Sequence, residues 1–155
     1  NLISHFVHKG ATVLDYGCGR GDLSFFISDM GAKTIGIDIS DEAINKAQKR
    51  AHVYTNDISF LKMDAHDLKF DDNYFDLVCG ISIIHHLNPG RVYSEISRVL
   101  KPTGRAIFLE PLGHNFFINL FRRCTPNFRS FDEKPLRCSD IYKANKYFEE
   151  VDCEW

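Results

Sequence analysis

The chain has 155 residues, of which 44% are hydrophobic and 26% are charged, and its formal net charge is −2. This composition excludes a disordered or fibrous chain and predicts one domain with a hydrophobic core. Acidic and basic residues are mixed along the sequence, so the overall charge does not steer the protein toward nucleic acid or an anionic membrane surface.

The cysteines are odd in number and include no C-x-x-C pair, which argues against a disulfide framework and against a zinc site. We therefore expect reduced thiols, a cytoplasmic protein and no bound metal. No apolar run approaches the roughly 20 residues that a membrane-spanning helix needs, so we expect no membrane partner. The cysteines are Cys18, Cys79, Cys124, Cys138 and Cys153.

The most informative stretch is residues 11–23, where an apolar run reaches Asp15 and then breaks into the alternating glycines Gly17, Gly19 and Gly21. This pattern predicts a strand, a tight turn and the start of a helix. Glycine has no Cβ, so such a turn lets backbone N–H groups approach a ligand that a side chain would exclude. The stretch is therefore a candidate ligand-binding loop.

Strands and helices alternate on both sides of this loop. Residues 2–7 have the spacing of a helix end, and the apolar residues Leu23, Phe26, Ile27 and Met30 predict an amphipathic first helix. Ser40 and Asn88 are suited to cap two further helices. Further strands are predicted at 33–38, 58–63, 75–80 and 105–110, the last following a helix that Pro102 and Gly104 terminate.

This alternation predicts an α/β fold, a three-layer αβα Rossmann-like sandwich with a mostly parallel sheet, from which we expect terminal elements to be missing. Ligands of such sheets bind beyond the carboxyl ends of the strands. We expect a single domain over residues 1–155, with a basic, aromatic insert at about 111–138. Beyond the insert, Ser139 and Asp140 predict a helix cap, and residues 148–155 predict a sixth strand.

The sequence Asp15-Tyr16-Gly17-Cys18-Gly19-Arg20-Gly21 resembles the D-x-G-x-G-x-G signature of class I S-adenosylmethionine-dependent methyltransferases. Four further segments resemble the family in the same order along the chain. They are Gly36-Ile37-Asp38-Ile39-Ser40, Asp64-Ala65-His66, Phe75-Asp76-Leu77-Val78 and Leu100-Lys101-Pro102-Thr103-Gly104.

The resemblance implies that S-adenosylmethionine is the cofactor and assigns its binding residues. The methionine moiety would lie against Gly17, Cys18 and Gly19, and the backbone near Gly80 would receive its amino group. Asp15 would orient the glycine turn and the ammonium group.

The same resemblance places the adenosine beside the next two strands. Asp38 would accept both ribose hydroxyls, and Ile39 would pack on the adenine. Asp64 would accept from the adenine amino group, and the Ala65 backbone would contact a ring nitrogen. His66 would flank this pocket. Taken singly, each acid could instead cap a helix or tie a turn.

A nicotinamide dinucleotide enzyme is the competing interpretation of the glycine loop. Its fingerprint is G-x-G-x-x-G, whereas the spacing here is G-x-G-x-G, so the third glycine does not fit. A pyrophosphate beside Asp15 would also be repelled. Both features favour the methyl donor.

Methyl transfer to a small molecule's O, N or C nucleophile is the function that the resemblance implies. A base is needed only where a proton must leave, and His85 or His86 is the candidate, although the pair could equally serve packing or capping. Glu110 could line the acceptor side or anchor a loop. The alternatives are a domain that binds the cofactor or its product without turnover, and a methyltransferase that uses the basic insert to act on RNA or protein; nucleic acid is not the expected partner. The oligomeric state stays open.

Overall fold

Five parallel strands form the centre of the structure, a computed structural model that describes residues 2–111 and 136–154. Their order across the sheet is β3-β2-β1-β4-β5. Successive strands are added on one side of β1 up to β3 and on its other side from β4 onward, so the strand order reverses at the β1–β4 boundary. The strands are β1 (Thr12–Tyr16), β2 (Lys33–Asp38), β3 (Ile58–Lys62), β4 (Phe75–Ile81) and β5 (Leu100–Leu109).

Helices cover both faces of this sheet. Helices α1 (Asp22–Asp29) and α2 (Asp41–Ala51) lie on one face, and α3 (Pro89–Val99) lies on the other. The predicted three-layer α/β fold with a parallel sheet is thereby confirmed. The remaining described elements are α4 (Cys138–Tyr142) and short 3-10 helices at Leu2–His5, Ile84–His86 and Lys143–Lys146.

The core is split by the sheet into two apolar layers, because successive side chains of a strand point to opposite faces. In β1, Val13 packs toward α1, whereas Leu14 and Tyr16 pack toward α3. All three side chains are buried completely. The sheet therefore fixes which residues near its carboxyl edge belong to which layer.

Two helix starts agree with the caps predicted from the sequence. The Ser40 hydroxyl accepts a hydrogen bond from the Ala43 N–H (3.3 Å), and the Asn88 side chain accepts one from the Arg91 N–H (3.3 Å). Each bond satisfies a backbone donor in the first helical turn that has no partner within the helix. The starts of α2 and α3 are thus set locally.

The buried face of α1 matches the predicted one in part, since Ile27 is buried and Leu23 and Met30 pack against the same cluster. Phe26 is exposed, and the residues facing the sheet are Ser24, Phe25, Ile27 and Ser28. The small serines let α1 approach the sheet closely, since a Cβ placed on Gly36 of β2 would lie 2.9 Å from the Ser24 Oγ. The close packing of α1 on the sheet, and not the apolar spacing alone, decides which of its residues are buried.

Strand β5 begins earlier than predicted. It starts at Leu100 instead of Arg105, because Leu100 pairs with Phe75 before a register shift brings Arg105 opposite Leu77. Pro102 and Gly104 therefore lie inside an irregular edge strand and not between a helix and a strand, a position that edge strands tolerate.

The predicted sixth strand is wrong. Within 148–154 no residue pairs with the sheet, and Phe148 instead contacts the ring of Tyr93 on α3. The preceding helix α4 begins at Cys138, earlier than the predicted cap at Ser139, and Asp140 takes part in the cap by accepting from the Arg137 N–H (3.3 Å). Most of the predicted insert, residues 112–135, lies outside the described residues.

Candidate cofactor and acceptor site

The carboxyl edge of the sheet brings the predicted binding residues together. Each follows or ends one of four neighbouring strands, and β1 and β4 flank the point where the strand order reverses, where α/β sheets bind ligands. The residues are Asp15, Gly17, Cys18 and Gly19 at β1, Asp38 and Ile39 at β2, Asp64 and Ala65 at β3, and Gly80 at β4.

The glycine loop has the conformation that its residues allow. Gly17 (φ +77°) and Gly19 (φ +53°) both lie in the left-handed region, where residues with a Cβ are strained. A Cβ on Gly17 would lie 2.6 Å from the Ile83 side chain, whereas none of the described atoms comes within 4 Å of a Cβ placed on Gly19. The loop is therefore packed at Gly17 and open at Gly19.

The backbone N–H groups of this loop point into the protein. Gly17 and Cys18 both donate to the Ile37 carbonyl (2.9 and 2.8 Å), and Gly21 donates to the Cys18 carbonyl (2.8 Å). Gly19 donates to the Asp38 carboxylate (2.9 Å). A phosphate-binding loop needs such groups directed at its ligand. The expectation that loop N–H groups would face a ligand is thus not met at these four positions, and the loop is unsuited to a diphosphate.

Asp38 is held at the end of β2 by two backbone donors, one to each oxygen. Its Oδ2 accepts from Gly19 and its Oδ1 accepts from the Ser40 N–H (2.8 Å). A carboxylate oxygen has two acceptor positions, so each oxygen retains one. Asp38 can therefore accept from two adjacent hydroxyls of a ribose at the same time.

Asp15 lies beneath α1 and is 1% exposed. The Ser24 hydroxyl donates to its Oδ2 (2.5 Å). Burial raises the pKa of Asp15 to about 6, the hydrogen bonds from Ser24 lower it in part, and the charge of Asp38 raises it further. At neutral pH this buried carboxylate is ionised without a cationic side chain bonded to it among the described residues, which suits a position near a cationic ligand group.

The turn after β3 is tied to the end of β1. The Tyr16 hydroxyl donates to the Ala65 carbonyl, and the Met63 N–H donates to the Asp38 carbonyl (3.0 Å). These contacts bring Asp64 and Ala65 beside Asp38. Hydrogen bonds from the His66 backbone and ring lower the pKa of Asp64. At neutral pH this carboxylate therefore accepts hydrogen bonds and donates none.

Ile39 and Gly80 complete the edge in different ways. Ile39 is 68% exposed although it follows a buried strand, so an apolar surface is presented beside Asp38. Gly80 is buried, and a Cβ there would lie 2.6 Å from the Tyr16 carbonyl. Close approach of β1 and β4 at this point therefore requires glycine.

Glu110 and His85 form a buried pair beyond β4 and β5. The Glu110 Oε1 accepts from the Ile83 and Ile84 N–H groups (both 2.8 Å), and its Oε2 contacts the His85 Nδ1 (2.7 Å). The two side chains are 6% and 5% exposed. The neighbouring His86 is less buried, and its ring centroid lies 4.1 Å from that of His85. Glu110 thus anchors the loop, one of its two expected roles.

Three contributors were not identified in the sequence. Ser24 bonds Asp15, Tyr16 bonds Ala65, and Ile83 covers Gly17. A buried polar residue on the sheet side of α1 is a signal for Ser24, but Tyr16 and Ile83 read as ordinary apolar positions. Their roles depend on which strands become neighbours.

The thiols near the site are inert. Burial, together with the charge of Asp15, raises the pKa of both Cys18 and Cys79. Both side chains are buried with protonated thiols, and the four described cysteines form no disulfide. Across residues 2–111 and 136–154, no cluster of three metal-ligating side chains is present, and no helix is long and apolar enough to span a membrane.

Comparison with known proteins identifies the family. The model described as "Methyltransferase domain" matches residues 14–108, which is more than half of the chain. A ubiquinone biosynthesis O-methyltransferase of Coxiella burnetii is 31% identical over 114 residues, covering 73% of this chain and 48% of that protein. A demethylmenaquinone methyltransferase of Symbiobacterium thermophilum is 39% identical over 113 residues, covering 69% and 45%.

A solved structure agrees with these matches. An S-adenosylmethionine-dependent methyltransferase of Methanosarcina mazei has a TM-score of 0.71 and 28% identity, covering 79% of this chain and 62% of that one. The chain spans about half the length of the curated relatives it matches. It belongs to the methyltransferase domain family, whose cofactor is S-adenosylmethionine.

Proposed function

We propose that this chain carries the cofactor-binding part of an enzyme that transfers a methyl group from S-adenosylmethionine to an O, N or C nucleophile of a small molecule. The inward direction of the loop N–H groups is the observation that carries the proposal, since it leaves a site shaped by carboxylates. Such a site suits a cofactor with hydroxyl, amino and ammonium donors. The names of the two relatives, which concern quinone biosynthesis, support a small-molecule acceptor.

The proposed cofactor contacts follow from the acceptor positions. Asp38 accepts both ribose hydroxyls, Ile39 packs on the adenine, and Asp64 with the Ala65 backbone recognises the edge of the base. Gly17, Cys18, Gly19 and Gly80 surround the methionine portion, and the charge of Asp15 favours its ammonium group.

The acceptor side lies beyond β4 and β5. When bound, S-adenosylmethionine supplies an activated methyl group for in-line displacement, so the protein chiefly orients the nucleophile. Where a hydroxyl or amine must lose a proton, His85 or His86 is the proposed base. His85 is favoured because Glu110 engages its Nδ1 and leaves Nε2 as the proton-accepting atom. The odd number of cysteines and the lack of a C-x-x-C pair support a cytoplasmic location.

Calorimetric titration with S-adenosylhomocysteine tests the cofactor site. We expect saturable binding by the wild-type chain and at least about tenfold weaker binding by Asp38→Asn, because the amide presents a donor to one ribose hydroxyl. Asp71→Asn, which removes the same charge from an exposed turn at the opposite end of β4, should bind normally. Absent binding by the wild-type chain, or unchanged binding by Asp38→Asn, would contradict the proposal.

Mass spectrometry of a metabolite extract incubated with the full-length protein and S-adenosylmethionine tests turnover. A methylated small molecule that depends on the protein is the expected result. Saturable cofactor binding without any methylated product would favour the non-catalytic binding domain instead. Methylation of RNA or protein added in a parallel assay would favour a methyltransferase that acts on RNA or protein.

A further inference from the structure

His66 makes hydrogen bonds through both ring nitrogens and through its backbone. Its backbone N–H donates to the Asp64 Oδ1 (2.8 Å), and its Nδ1 lies 2.9 Å from the same oxygen. Its Nε2 lies 3.1 Å from the Asn88 backbone nitrogen, which can only donate. The neutral ring therefore carries its proton on Nδ1 and accepts through Nε2.

These bonds make the two oxygens of the Asp64 carboxylate differ in their hydrogen bonding. Oδ1 receives both donors of His66, whereas Oδ2 receives none from the residues that the structure describes. The side chain is 53% exposed, so without the imidazole it would be held only by the backbone N–H of residue 66. With His66 in place, one ionised oxygen is fixed and the other is directed away with its acceptor positions available.

Asn88 holds the other end of the imidazole. It is the residue that caps α3, and its N–H precedes the helix and is satisfied by the His66 Nε2. The ring is thus held between the turn after β3 and the start of α3, two elements that lie 22 positions apart in sequence. Arg91 of α3 adds a favourable charge toward Asp64. The orientation of Asp64 is therefore set by tertiary contacts and not by its own turn alone.

We propose that His66 is a positioning residue that makes the cofactor site selective for adenine, by orienting the Asp64 Oδ2 to accept from the 6-amino group. This inference rests on the proposed function. A 6-oxo purine presents an acceptor at that position, which faces the carboxylate without a proton between them. Placing the Asp64 carboxylate against the negative end of the 6-oxo group costs more binding free energy than the loss of one hydrogen bond.

Two substitutions separate the donor function of the ring from its acceptor function. His66→Asn places an amide N–H near the position of Nδ1 and removes the group that accepts from Asn88. His66→Gln reaches the position of Nε2, where its carbonyl can accept from Asn88, and removes the side-chain donor to Asp64 while the backbone donor remains. Both variants are neutral and polar, so a general loss of stability would affect them alike.

Calorimetry of the chain with S-adenosylhomocysteine and with S-inosylhomocysteine, its 6-oxo analogue, measures the selectivity. We expect the wild type to prefer the adenine compound by about tenfold or more. His66→Gln should lose most of this preference by weakening only adenine binding, and His66→Asn should recover most of it. Thermal unfolding of each variant checks that it is folded.

The outcomes distinguish this inference from the proposed function. Absence of S-adenosylhomocysteine binding by the wild type would overturn the proposed function. Normal binding with equal selectivity in the wild type and His66→Gln would overturn only the role of His66. Equal loss of selectivity in His66→Gln and His66→Asn would overturn the donor role, since it would point to general structural damage.

As a second measure, Asp64→Asn should shift the binding preference toward the 6-oxo analogue, because its amide can donate there. An unchanged preference would also overturn the inference.

Discussion

At the scale of single residues, Asp15 illustrates a group retained at a cost to stability. Its pKa is raised from 3.8 to about 6 by burial, so the folded state holds the proton more tightly than the unfolded state does. The contribution of Asp15 to the free energy of unfolding is therefore highest below about pH 4 and falls as the pH rises to about 6. Above pH 6 the chain folds with a buried charge.

Asp15→Asn should consequently stabilise the protein at pH 7. The removed charge is worth about 3 kcal/mol at most, and the new amide loses part of this by leaving an N–H without a partner, so we expect a net gain of about 1–2 kcal/mol. Urea denaturation should show this gain at pH 7 and its disappearance near pH 4.

The exposed Asp71→Asn serves as the matched control and should show no such pH-dependent gain. If Asp15→Asn is less stable than the wild type at pH 7, the hydrogen bonds of the ionised carboxylate outweigh the cost of burying its charge. A stable variant that binds S-adenosylhomocysteine weakly would identify Asp15 as a residue kept for binding.

At the scale of elements, the segment between β4 and α3 is shaped mainly by β5. Ser82 lies in the left-handed region (φ +57°), and its N–H donates to the Leu109 carbonyl (2.8 Å). Glu110 holds Ile83 and Ile84, and Ile83 in turn packs over Gly17. A single carboxylate past the end of β5 therefore connects the acceptor side with the glycine loop.

Glu110→Ala should leave the two buried N–H groups of Ile83 and Ile84 without an acceptor. We expect it to lower the free energy of unfolding by about 2–3 kcal/mol and to speed hydrogen exchange at Ile83 and Ile84 specifically. Glu110→Gln should cost less, because its amide oxygen can still accept from both groups.

Glu149→Gln, at an exposed position, is the control for the change of charge. Unchanged exchange rates at Ile83 and Ile84 in Glu110→Ala would exclude the anchoring role. A uniform rise in exchange throughout the chain would attribute the effect to global destabilisation instead.

Elements also show where local sequence patterns are sufficient. Ser40 and Asn88 predicted their helix starts because a cap bonds within the same turn. The start of β5 and the position of Phe26 on α1 were predicted incorrectly, since both depend on a neighbour: Phe75 pairs with Leu100, and Gly36 admits Ser24. The sixth strand failed for the same kind of reason, because residues 148–154 do not pair with the sheet and Phe148 packs on Tyr93 of α3 instead.

At the scale of the whole molecule, we expect the bound ligand to stabilise the folded protein. The proposed contacts involve the ends of four strands, so a bound cofactor product stabilises the folded state that assembles them. S-adenosylhomocysteine at 100 times its dissociation constant should add about 2.7 kcal/mol to the free energy of unfolding. Urea denaturation with and without the compound measures this shift.

The same ligand concentration should stabilise Asp38→Asn by at least about 1 kcal/mol less, in keeping with its weaker binding. Stabilisation of equal size in both proteins would place the compound at another site. A changed dependence on urea concentration would show that more of the chain becomes ordered on binding.

The sequence by itself determined the alternation of strands and helices, the helix caps, the glycine loop and the acids near the ends of β1, β2, β3 and β5. These features are local, because periodicity, capping and backbone conformation depend on residues a few positions apart. Only the tertiary structure decided what each group bonds: Gly19 to Asp38, Glu110 to Ile83, and His66 to both Asp64 and Asn88. Two of these bonds, from Ile83 to Glu110 and from Asn88 to His66, join residues more than 20 positions apart, and they form because parallel strands place their carboxyl ends at one edge. The glycine loop was therefore predictable as a loop, whereas the inward direction of its N–H groups was not.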